Sequence, residues 1–347
     1  MIRPLTRQEM CDVIDGKGAA YRTPSLLQFW TRYESWGGRQ EACRAIMRKY
    51  PCDAQIVRLC MPVHTPHRDD PSYRLASFLE GNAQAIDAKV HLPDWSRLDE
   101  MLESFPDPQS PTMLRWYYPS QPPEIRIPPE PDGRYRLAHF WNSYFERLWG
   151  MRGMTRALMD FYDYPDQVHR FFDRLTQFYC AAAERAAELG CDGLLTSDDL
   201  GTQRSLFLAP AVFEEFLAPY YKRLIDCVHS HGMHFWLHTC GCVTPILPRL
   251  VELGMDVIHP IQKYAMDQMA AAKEFAGKFT VWIGFDVQQT IPYGTADEVH
   301  DEARALIRAW QRPEGKMIFA AGNGINGDCP LESLEALYAA VFEGAEA

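Results

Sequence analysis

The segment His234–Cys242 carries an apolar run into side chains that bind metals. His238 and Cys240 are two residues apart, so on an extended strand their side chains point to the same side. An imidazole and a thiolate on one face suit zinc. The alternative is that both are ordinary buried core residues. Cys242 is a spare candidate ligand only if the strand continues through Gly241.

Two adjacent carboxylates follow another short apolar run, Cys191–Thr196. Asp198 and Asp199 cannot both face one pocket if the strand continues, because neighbouring strand residues point in opposite directions. Such a pair is a candidate general acid/base or a substrate-binding clamp. The alternative is that one of them, Asp198 in particular, caps the following helix or binds loop amides. Gln203, a little further on, is a candidate for binding a substrate amide or carboxylate, or is simply solvated.

The remaining candidates follow three later apolar runs. His259 is a catalytic candidate, and Gln262 is a candidate for substrate binding. Asp286 is a second catalytic candidate that could also accept a hydrogen bond from His238, or it forms a loop salt bridge. Asn323 is a substrate-binding candidate between two glycines, where the backbone can approach a ligand closely. The same Gly-Asn-Gly sequence is also typical of an ordinary turn.

Three histidines lie close to the first motif, and so many histidines together could be metal ligands. His229, His231 and His234 are separated by two and three residues across a predicted helix end. This position is more typical of capping or surface residues than of metal ligands.

These candidates have to be positioned by a regular succession of strands and helices. Apolar spacing predicts helices over Thr155–Tyr162, Pro165–Leu189 and Ala211–His231. Short strands alternating with such helices predict parallel β/α units, and polar residues gathered just after the strands favour a closed barrel. The predicted strands are Leu137–Trp141, Cys191–Thr196, Met233–Leu237, Asp256–His259, Thr280–Gly284 and Lys316–Ala321. Glycines predicted near the ends of the helical segments are Gly190, Gly232, Gly254, Gly277 and Gly315.

The N-terminal third of the chain has a different texture. Residues 1 to about 52 mix helical signals with aromatics and show no strand alternation, whereas Asp53–Cys60 is a good strand candidate. We predict an N-terminal extension over residues 1–130, packed on a barrel core over residues 131–347, in a single domain overall.

Composition limits the classes of function. The chain has 347 residues, a formal net charge of −11 and 47% hydrophobic residues. The negative charge argues against nucleic-acid binding, which needs clustered Lys and Arg. Ten cysteines without regular spacing indicate reduced thiols. Since no apolar stretch approaches the roughly 20 residues of a membrane span, we expect no membrane association and a cytoplasmic protein.

Several motifs taken together resemble the uroporphyrinogen decarboxylase superfamily. The resemblance covers about residues 136–347, while the first 130 residues match loosely. It implies a (β/α)8 TIM barrel with an N-terminal, mostly helical extension, and it favours Asp199 as the catalytic residue. The matching segments are Asp198-Asp-Leu-Gly-Thr-Gln203, Phe213–Arg223, His238-Thr-Cys-Gly, Gly284-Phe-Asp286, Gly294–Val299, Gly322-Asn-Gly-Ile and Pro330-Leu-Glu-Ser-Leu.

The branches of this superfamily differ in chemistry. The decarboxylase itself carries an Arg-rich segment near its N-terminus that holds substrate carboxylates, and the segment Tyr21–Ser25 here lacks that signature, although Arg22 and Arg32 are nearby. The other branch, the corrinoid-linked methyltransferases, moves a methyl group from a cobalamin-carrying protein to a thiol or a tetrahydrofolate nitrogen. The chain resembles this second branch more closely.

Members of that branch that use thiol acceptors hold zinc with His-x-Cys and a distant Cys near the C-terminus. The resemblance implies His238 and Cys240 as the first two ligands. The third position falls on Asn323, a poor zinc ligand, so Cys329, six residues later, is the candidate in its place. If the acceptor is tetrahydrofolate, Asp199 and Asn323 are expected to hydrogen-bond the pterin, and metal is dispensable.

The resemblance therefore implies zinc, a methyl-corrinoid supplied by a separate corrinoid-binding protein, and a small-molecule methyl acceptor. A homodimer is compatible with the sequence. Two alternatives stay open: a decarboxylase-type lyase, and a catalytically silent barrel that acts as a binding protein.

Overall fold

Seven strands form one all-parallel sheet in the computed structural model, which describes residues 2–59, 94–103, 105, 109, 115–116, 124–125 and 130–345. The strands of this sheet lie side by side in chain order, β1-β4-β5-β6-β7-β8-β9, with β2 and β3 falling between β1 and β4 along the chain. Strands β2 and β3 form a separate antiparallel pair. The strands are β1 (Ala54–Arg58), β2 (Arg115–Trp116), β3 (Glu124–Ile125), β4 (Tyr135–His139), β5 (Gly193–Ser197), β6 (His234–His238), β7 (Val257–His259), β8 (Thr280–Phe285) and β9 (Met317–Ala321).

The sheet curls so that one short segment, Pro24–Leu26, reaches both of its edges. Leu26 N donates to Phe319 O of β9 (3.0 Å), and Phe319 N donates to Pro24 O (2.8 Å). On the other side, Asp53 N, next to β1, donates to Ser25 O (3.1 Å). The predicted barrel is confirmed in part: the sheet is curled, all-parallel and consistent with a TIM-like barrel. In the described residues, a single bridge at Ser25 stands where an eighth strand was expected.

The predicted helical N-terminal extension is not confirmed. The helices Arg7–Asp15 and Gln40–Arg48 lie in this part of the chain, but so does β1, which pairs with β4 in the main sheet. Just before β1, the buried Asp53 carboxylate accepts hydrogen bonds from both terminal nitrogens of Arg22 (2.6 and 2.7 Å). Residues before 60 therefore contribute a strand to the main sheet and, at Pro24–Leu26, the backbone hydrogen bonds that connect its two edges. Cys60, at the end of the predicted first strand, lies outside the described residues. The predicted division near residue 130 lies directly after residues 126–129, which are also outside the described part.

Helices cover the sheet between its strands. The predicted helix Ala211–His231 is observed in three consecutive pieces. All five glycines predicted at helix ends have a positive φ, between 70° and 101°, a conformation that glycine adopts at little cost. The α-helices are Arg7–Asp15, Leu27–Trp30, Gln40–Arg48, Leu98–Glu103, Phe145–Arg152, Met154–Asp163, Pro165–Glu188, Pro210–Val212, Ala218–Ser230, Leu247–Glu252, Gln268–Phe275, Thr290–Tyr293, Ala296–Trp310 and Leu331–Phe342, with 3-10 turns at Tyr33–Arg39 and Thr244–Ile246 and a π-helical turn at Phe213–Leu217.

The core is aromatic on the inside of the curled sheet. Trp236 and Trp282, on β6 and β8, are both fully buried and pack edge to face with ring centroids 5.4 Å apart. Trp30, from the short helix Leu27–Trp30, lies 5.7 Å from Trp282 and closes this cluster. Among the described residues, none of the helices combines the length and the apolar character needed to cross a bilayer.

Candidate functional site

Parallel strands all end at the same edge of a sheet, so the residues that follow β5 to β9 meet there. The register places Ser197 of β5 beside His238 of β6, and His238 beside His259 of β7. Asp199 and Cys240 therefore follow adjacent strands within two residues of paired positions.

Three donor atoms cluster at this edge. His238 Nε2 lies 3.3 Å from Cys240 Sγ and 3.9 Å from Asp199 Oδ1. All three donor atoms lie within 4.8 Å of one another. Cys240 N also donates to Asp199 Oδ1 (2.8 Å), which fixes the carboxylate against the loop after β6. We call His238, Cys240 and Asp199 the donor cluster.

Two glycines allow the loops after β5 and β6 to come this close. Gly241 has a φ of +88°, and a Cβ there would lie 2.1 Å from Gly201 O. A Cβ on Gly201 would lie 2.5 Å from Cys242 N. Neither position has room for a side chain, so the donor cluster depends on both glycines.

Burial and the Asp199 carboxylate set the electrostatics of the donor cluster. Burial raises the pKa of the Cys240 thiol well above its usual range, and the nearby Asp199 carboxylate raises it further. Burial lowers the pKa of His238, an effect that Asp199 opposes. The cluster thus offers a neutral imidazole and a thiol next to a carboxylate, and a divalent cation would favour the thiolate form.

A second histidine lies beneath the first. His238 Nδ1 and His259 Nδ1 are 2.7 Å apart, and His259 Nε2 is 2.9 Å from the carbonyl oxygen of Ala321. Trp30 stacks on the His259 ring at a centroid distance of 4.9 Å and an interplanar angle of 11°. His259, expected as a catalytic residue, is fully buried here. His259 is also the partner of His238 Nδ1, a role that was predicted for Asp286.

The carboxylates of Asp198 and Asp286 both accept hydrogen bonds from backbone N–H groups of the protein. Asp198 accepts hydrogen bonds from the backbone N–H groups of Tyr144, Phe145 and Glu146 (2.7–3.1 Å) and from the hydroxyl of Tyr221 (2.7 Å). It therefore caps the helix Phe145–Arg152, which precedes Asp198 in the chain, whereas the capping alternative concerned the helix that follows. Burial raises the pKa of Asp198 to about 6.

Asp286 has the same kind of role at the end of β8. Its carboxylate accepts hydrogen bonds from the N–H groups of Gln288, Gln289 and Thr290 (2.9–3.2 Å). The carboxylate therefore holds the first turn of the helix Thr290–Tyr293. Asp286 nevertheless lines the cavity beside the donor cluster.

This cavity, of about 60 Å³, opens beside Cys240. Gln262 is one wall, and its Oε1 accepts a hydrogen bond from Gly241 N (2.6 Å). Asn323 is another, with its Nδ2 lying 4.0 Å from Cys240 Sγ. Two of the predicted substrate-binding residues therefore face the same space as one member of the donor cluster. The lining residues are Cys240, Gln262, Lys263, Gly284, Phe285, Asp286, Val287, Gln288, Gly322 and Asn323.

Two predicted site residues lie elsewhere. Cys329 is buried, its Sγ lies 3.7 Å from Asp328 Oδ1, and its carbonyl accepts a hydrogen bond from Arg39. It is outside the donor cluster, where Asp199 is the third member. Gln203 is exposed in a turn and does not line the cavity.

The opposite end of the sheet holds the three histidines that were predicted not to be ligands. His229 Nε2 lies 2.8 Å from Asp256, and His234 Nε2 lies 2.9 Å from Asp15. His231 directly follows the helix Ala218–Ser230. They lie at helix ends or at the start of β6, away from the donor cluster.

Glu146 is a functional candidate that sequence reasoning missed. Its Oε2 accepts a hydrogen bond from Ser197 Oγ (2.6 Å) at the end of β5. Burial, followed by the charges of Asp199 and Asp198, raises its pKa to about 8. No motif surrounds Glu146 in the sequence, and its position follows from the helix that Asp198 caps.

Comparison with known proteins places this site in a family. The family model for uroporphyrinogen decarboxylase (URO-D) matches residues 144–343, more than half of the chain. This chain belongs to the uroporphyrinogen decarboxylase family. The match includes the donor cluster, Glu146 and every residue that lines the cavity.

Individual relatives agree with this assignment. Two curated proteins named uroporphyrinogen decarboxylase, from Anaeromyxobacter sp. (strain Fw109-5) and Anaeromyxobacter dehalogenans (strain 2CP-C), are each 28% identical to the chain over 193 residues. These alignments cover 55% of this chain and 52% of each relative, so the chain spans about half the length of the curated relatives it matches. A solved methyltransferase from Methanosarcina mazei has a similar fold, with a TM-score of 0.50 and 18% identity over 62% of this chain and 60% of that one.

Proposed function

We propose that this protein is a methyltransferase that moves a methyl group from a corrinoid, held by a separate protein, to a thiol or tetrahydrofolate acceptor. The observation that supports the proposal is the donor cluster. It joins an imidazole nitrogen, a thiol sulfur and a carboxylate oxygen within 4.8 Å of one another at the carboxyl ends of β5 and β6. Nitrogen, sulfur and oxygen donors of these types suit zinc, and three protein ligands leave a tetrahedral position open for a substrate.

In this proposal His238, Cys240 and Asp199 hold the metal, and Asp199 takes the place that the resemblance suggested for Cys329. The Asp199 carboxylate is already fixed by the N–H of Cys240, so little ordering is needed for it to act as a ligand. Bound zinc would lower the pKa of a thiol acceptor and so increase the fraction present as thiolate.

The cavity beside Cys240 is the proposed acceptor site. The side-chain amides of Gln262 and Asn323 line it and are placed to hydrogen-bond a polar acceptor. In the transfer itself, the acceptor sulfur forms a bond to the methyl carbon while the cobalt–carbon bond breaks and leaves its electron pair on cobalt. The thiol proton is released to solvent.

The test combines metal analysis with a transfer assay. Protein purified without chelators is analysed for zinc and incubated with free methylcobalamin and either 2-mercaptoethanol or tetrahydrofolate. We expect about one zinc per chain and a loss of zinc and of thiol methylation in Cys240→Ala. Cys242→Ala is the matched control, because Cys242 is two residues away and outside the donor cluster, and it should keep both. Sub-stoichiometric zinc with unchanged activity in Cys240→Ala would exclude the metal-dependent reaction.

A decarboxylase is the second candidate, and the names of the two curated relatives favour it. Against it, Arg22 is bound to Asp53 at the amino end of β1, at the opposite end of the sheet from the donor cluster. Release of CO2 from uroporphyrinogen by the purified protein, without methyl transfer, would establish this candidate. A protein active in neither assay would favour a binding role.

A further inference from the structure

His259 connects the donor cluster to the backbone of the sheet. It ends β7, its Nδ1 meets His238 Nδ1 at 2.7 Å, and its Nε2 meets the carbonyl oxygen of Ala321, the last residue of β9, at 2.9 Å. The chain of hydrogen bonds therefore joins the carboxyl ends of β6, β7 and β9. His259 has no solvent-exposed surface.

The direction of these hydrogen bonds follows from the Ala321 carbonyl. A carbonyl oxygen only accepts, so the hydrogen of His259 lies on Nε2. A buried imidazole without a carboxylate partner is neutral, which leaves His259 Nδ1 without a hydrogen. It then accepts from His238 Nδ1–H, because one of the two facing nitrogens must donate. The remaining nitrogen, His238 Nε2, then carries no hydrogen and presents its lone pair.

That lone pair faces the rest of the donor cluster. His238 Nε2 is the atom 3.3 Å from Cys240 Sγ and 3.9 Å from Asp199 Oδ1. The other neutral tautomer would place a hydrogen on Nε2 and prevent it from binding a metal. Trp30 stacks on His259, and the tilted ring of Trp282 packs against it at a centroid distance of 4.3 Å. These contacts fix the plane of the ring that selects the tautomer.

We propose that His259 is a positioning residue that holds His238 in the tautomer with a hydrogen on Nδ1, so that Nε2 is ready to bind a metal. The role of the metal rests on the proposed function, whereas the tautomer is a property of the metal-free protein. Replacing a partner of this kind typically weakens metal binding by about 10–100-fold.

Two variants separate the hydrogen bond from packing. His259→Phe keeps a ring against Trp30 but removes the acceptor, and we expect the Kd for Co²⁺ to rise by about 10–100-fold with a changed Co²⁺ absorption spectrum. His259→Asn can accept from His238 with its amide oxygen and donate to Ala321 with its amide nitrogen, so it should recover part of the affinity. His231→Gln, an exposed histidine outside the cluster, should bind Co²⁺ as the wild type does.

Nitrogen-15 NMR of the metal-free protein tests the tautomer directly, with assignments from single histidine variants. We expect a protonated Nδ1 and a bare Nε2 for His238, and the reverse for His259. A hydrogen on His238 Nε2 in the wild type, or unchanged Co²⁺ affinity in His259→Phe, would overturn the positioning role. If the wild type has the expected tautomers but binds no Co²⁺ or Zn²⁺, the positioning role stands and the proposed metal function fails. If His259→Phe does not fold, the wild-type NMR pattern and His259→Asn decide.

Discussion

Replacing Arg22 by methionine tests whether this arginine serves the fold or a substrate. The side chains of Arg22 and Asp53 are 2% and 0% exposed, and two hydrogen bonds of 2.7 and 2.6 Å join them. Arg22 also donates to the carbonyl oxygens of Thr23 and Arg3. The pair lies next to Ser25, whose carbonyl closes the sheet. Methionine keeps most of the apolar stem and removes only the guanidinium.

The expected cost follows from what Asp53 would retain. Removing one member of a buried ion pair costs about 3–5 kcal/mol, because the other charge stays buried without compensation. Asp53 would keep the N–H groups of Leu5 and Ser25, at 2.8 and 2.7 Å, so we expect a value near the lower limit, about 3 kcal/mol. The double variant Arg22→Met/Asp53→Asn should recover part of this loss, since it removes the remaining charge as well.

Urea denaturation followed by tryptophan fluorescence measures the effect. The matched control is Arg48→Met, which breaks an ion pair with Glu41 whose side chains are 63% and 70% exposed. Exposed pairs contribute little to stability because water and salt screen them, so the control should unfold almost as the wild type does. The reasoning fails if Arg22→Met is as stable as Arg48→Met, or if its main effect is weaker binding of a carboxylate substrate.

Two further predictions concern the site. Because the folded protein holds Glu146 near a pKa of about 8 against the usual 4.5, its stabilising contribution is complete below pH 4.5 and falls by at most about 1.4 kcal/mol per pH unit up to pH 8. Urea titrations of metal-free protein should show that Glu146→Gln removes this slope, while the exposed Glu215→Gln keeps it. Equal slopes in both variants would contradict the raised pKa of Glu146. Gly241→Ala should separate the two loops and weaken Co²⁺ binding in a direct titration. Gly232→Ala, with a similar φ of +71° and no atom within 4 Å, should cost only about 1–2 kcal/mol of backbone strain and leave Co²⁺ binding unchanged.

Much of the sheet was predictable because its strands are short apolar runs with clear limits. The observed bounds of β4 to β9 differ from the predicted ones by no more than two residues. The glycines at the helix ends were predictable for the same reason, since each marks a sharp local change of conformation that few other residues allow. Local sequence is therefore sufficient to predict an element whose limits are set by the residues at its own ends.

Other features depend on contacts that local sequence does not contain. Ser25 and its neighbours reach the two edges of the sheet mainly through their own backbone atoms, so no alternation of side chains in this segment marks it. The predicted helix Ala211–His231 is interrupted by the π-helical turn Phe213–Leu217, directly before Ala218 and Pro219. Pro219 has no backbone N–H and its ring crowds the preceding turn, which gives a physical reason for the irregular turn there.

The third member of the donor cluster shows the same limit at the site itself. The resemblance placed the third zinc ligand at Asn323 or, in its place, Cys329, because members of the family with thiol acceptors have a cysteine ligand near the C-terminus. Asp199 and Cys240 are 41 residues apart in sequence, and they meet because β5 and β6 are adjacent parallel strands in register at Ser197 and His238. A carboxylate is a harder ligand than a thiolate, so a cluster with Asp199 in place of a second cysteine is less selective for soft metals. Under the proposed function, a harder metal than zinc bound at this cluster would be the consequence of pairing β5 with β6 in this register.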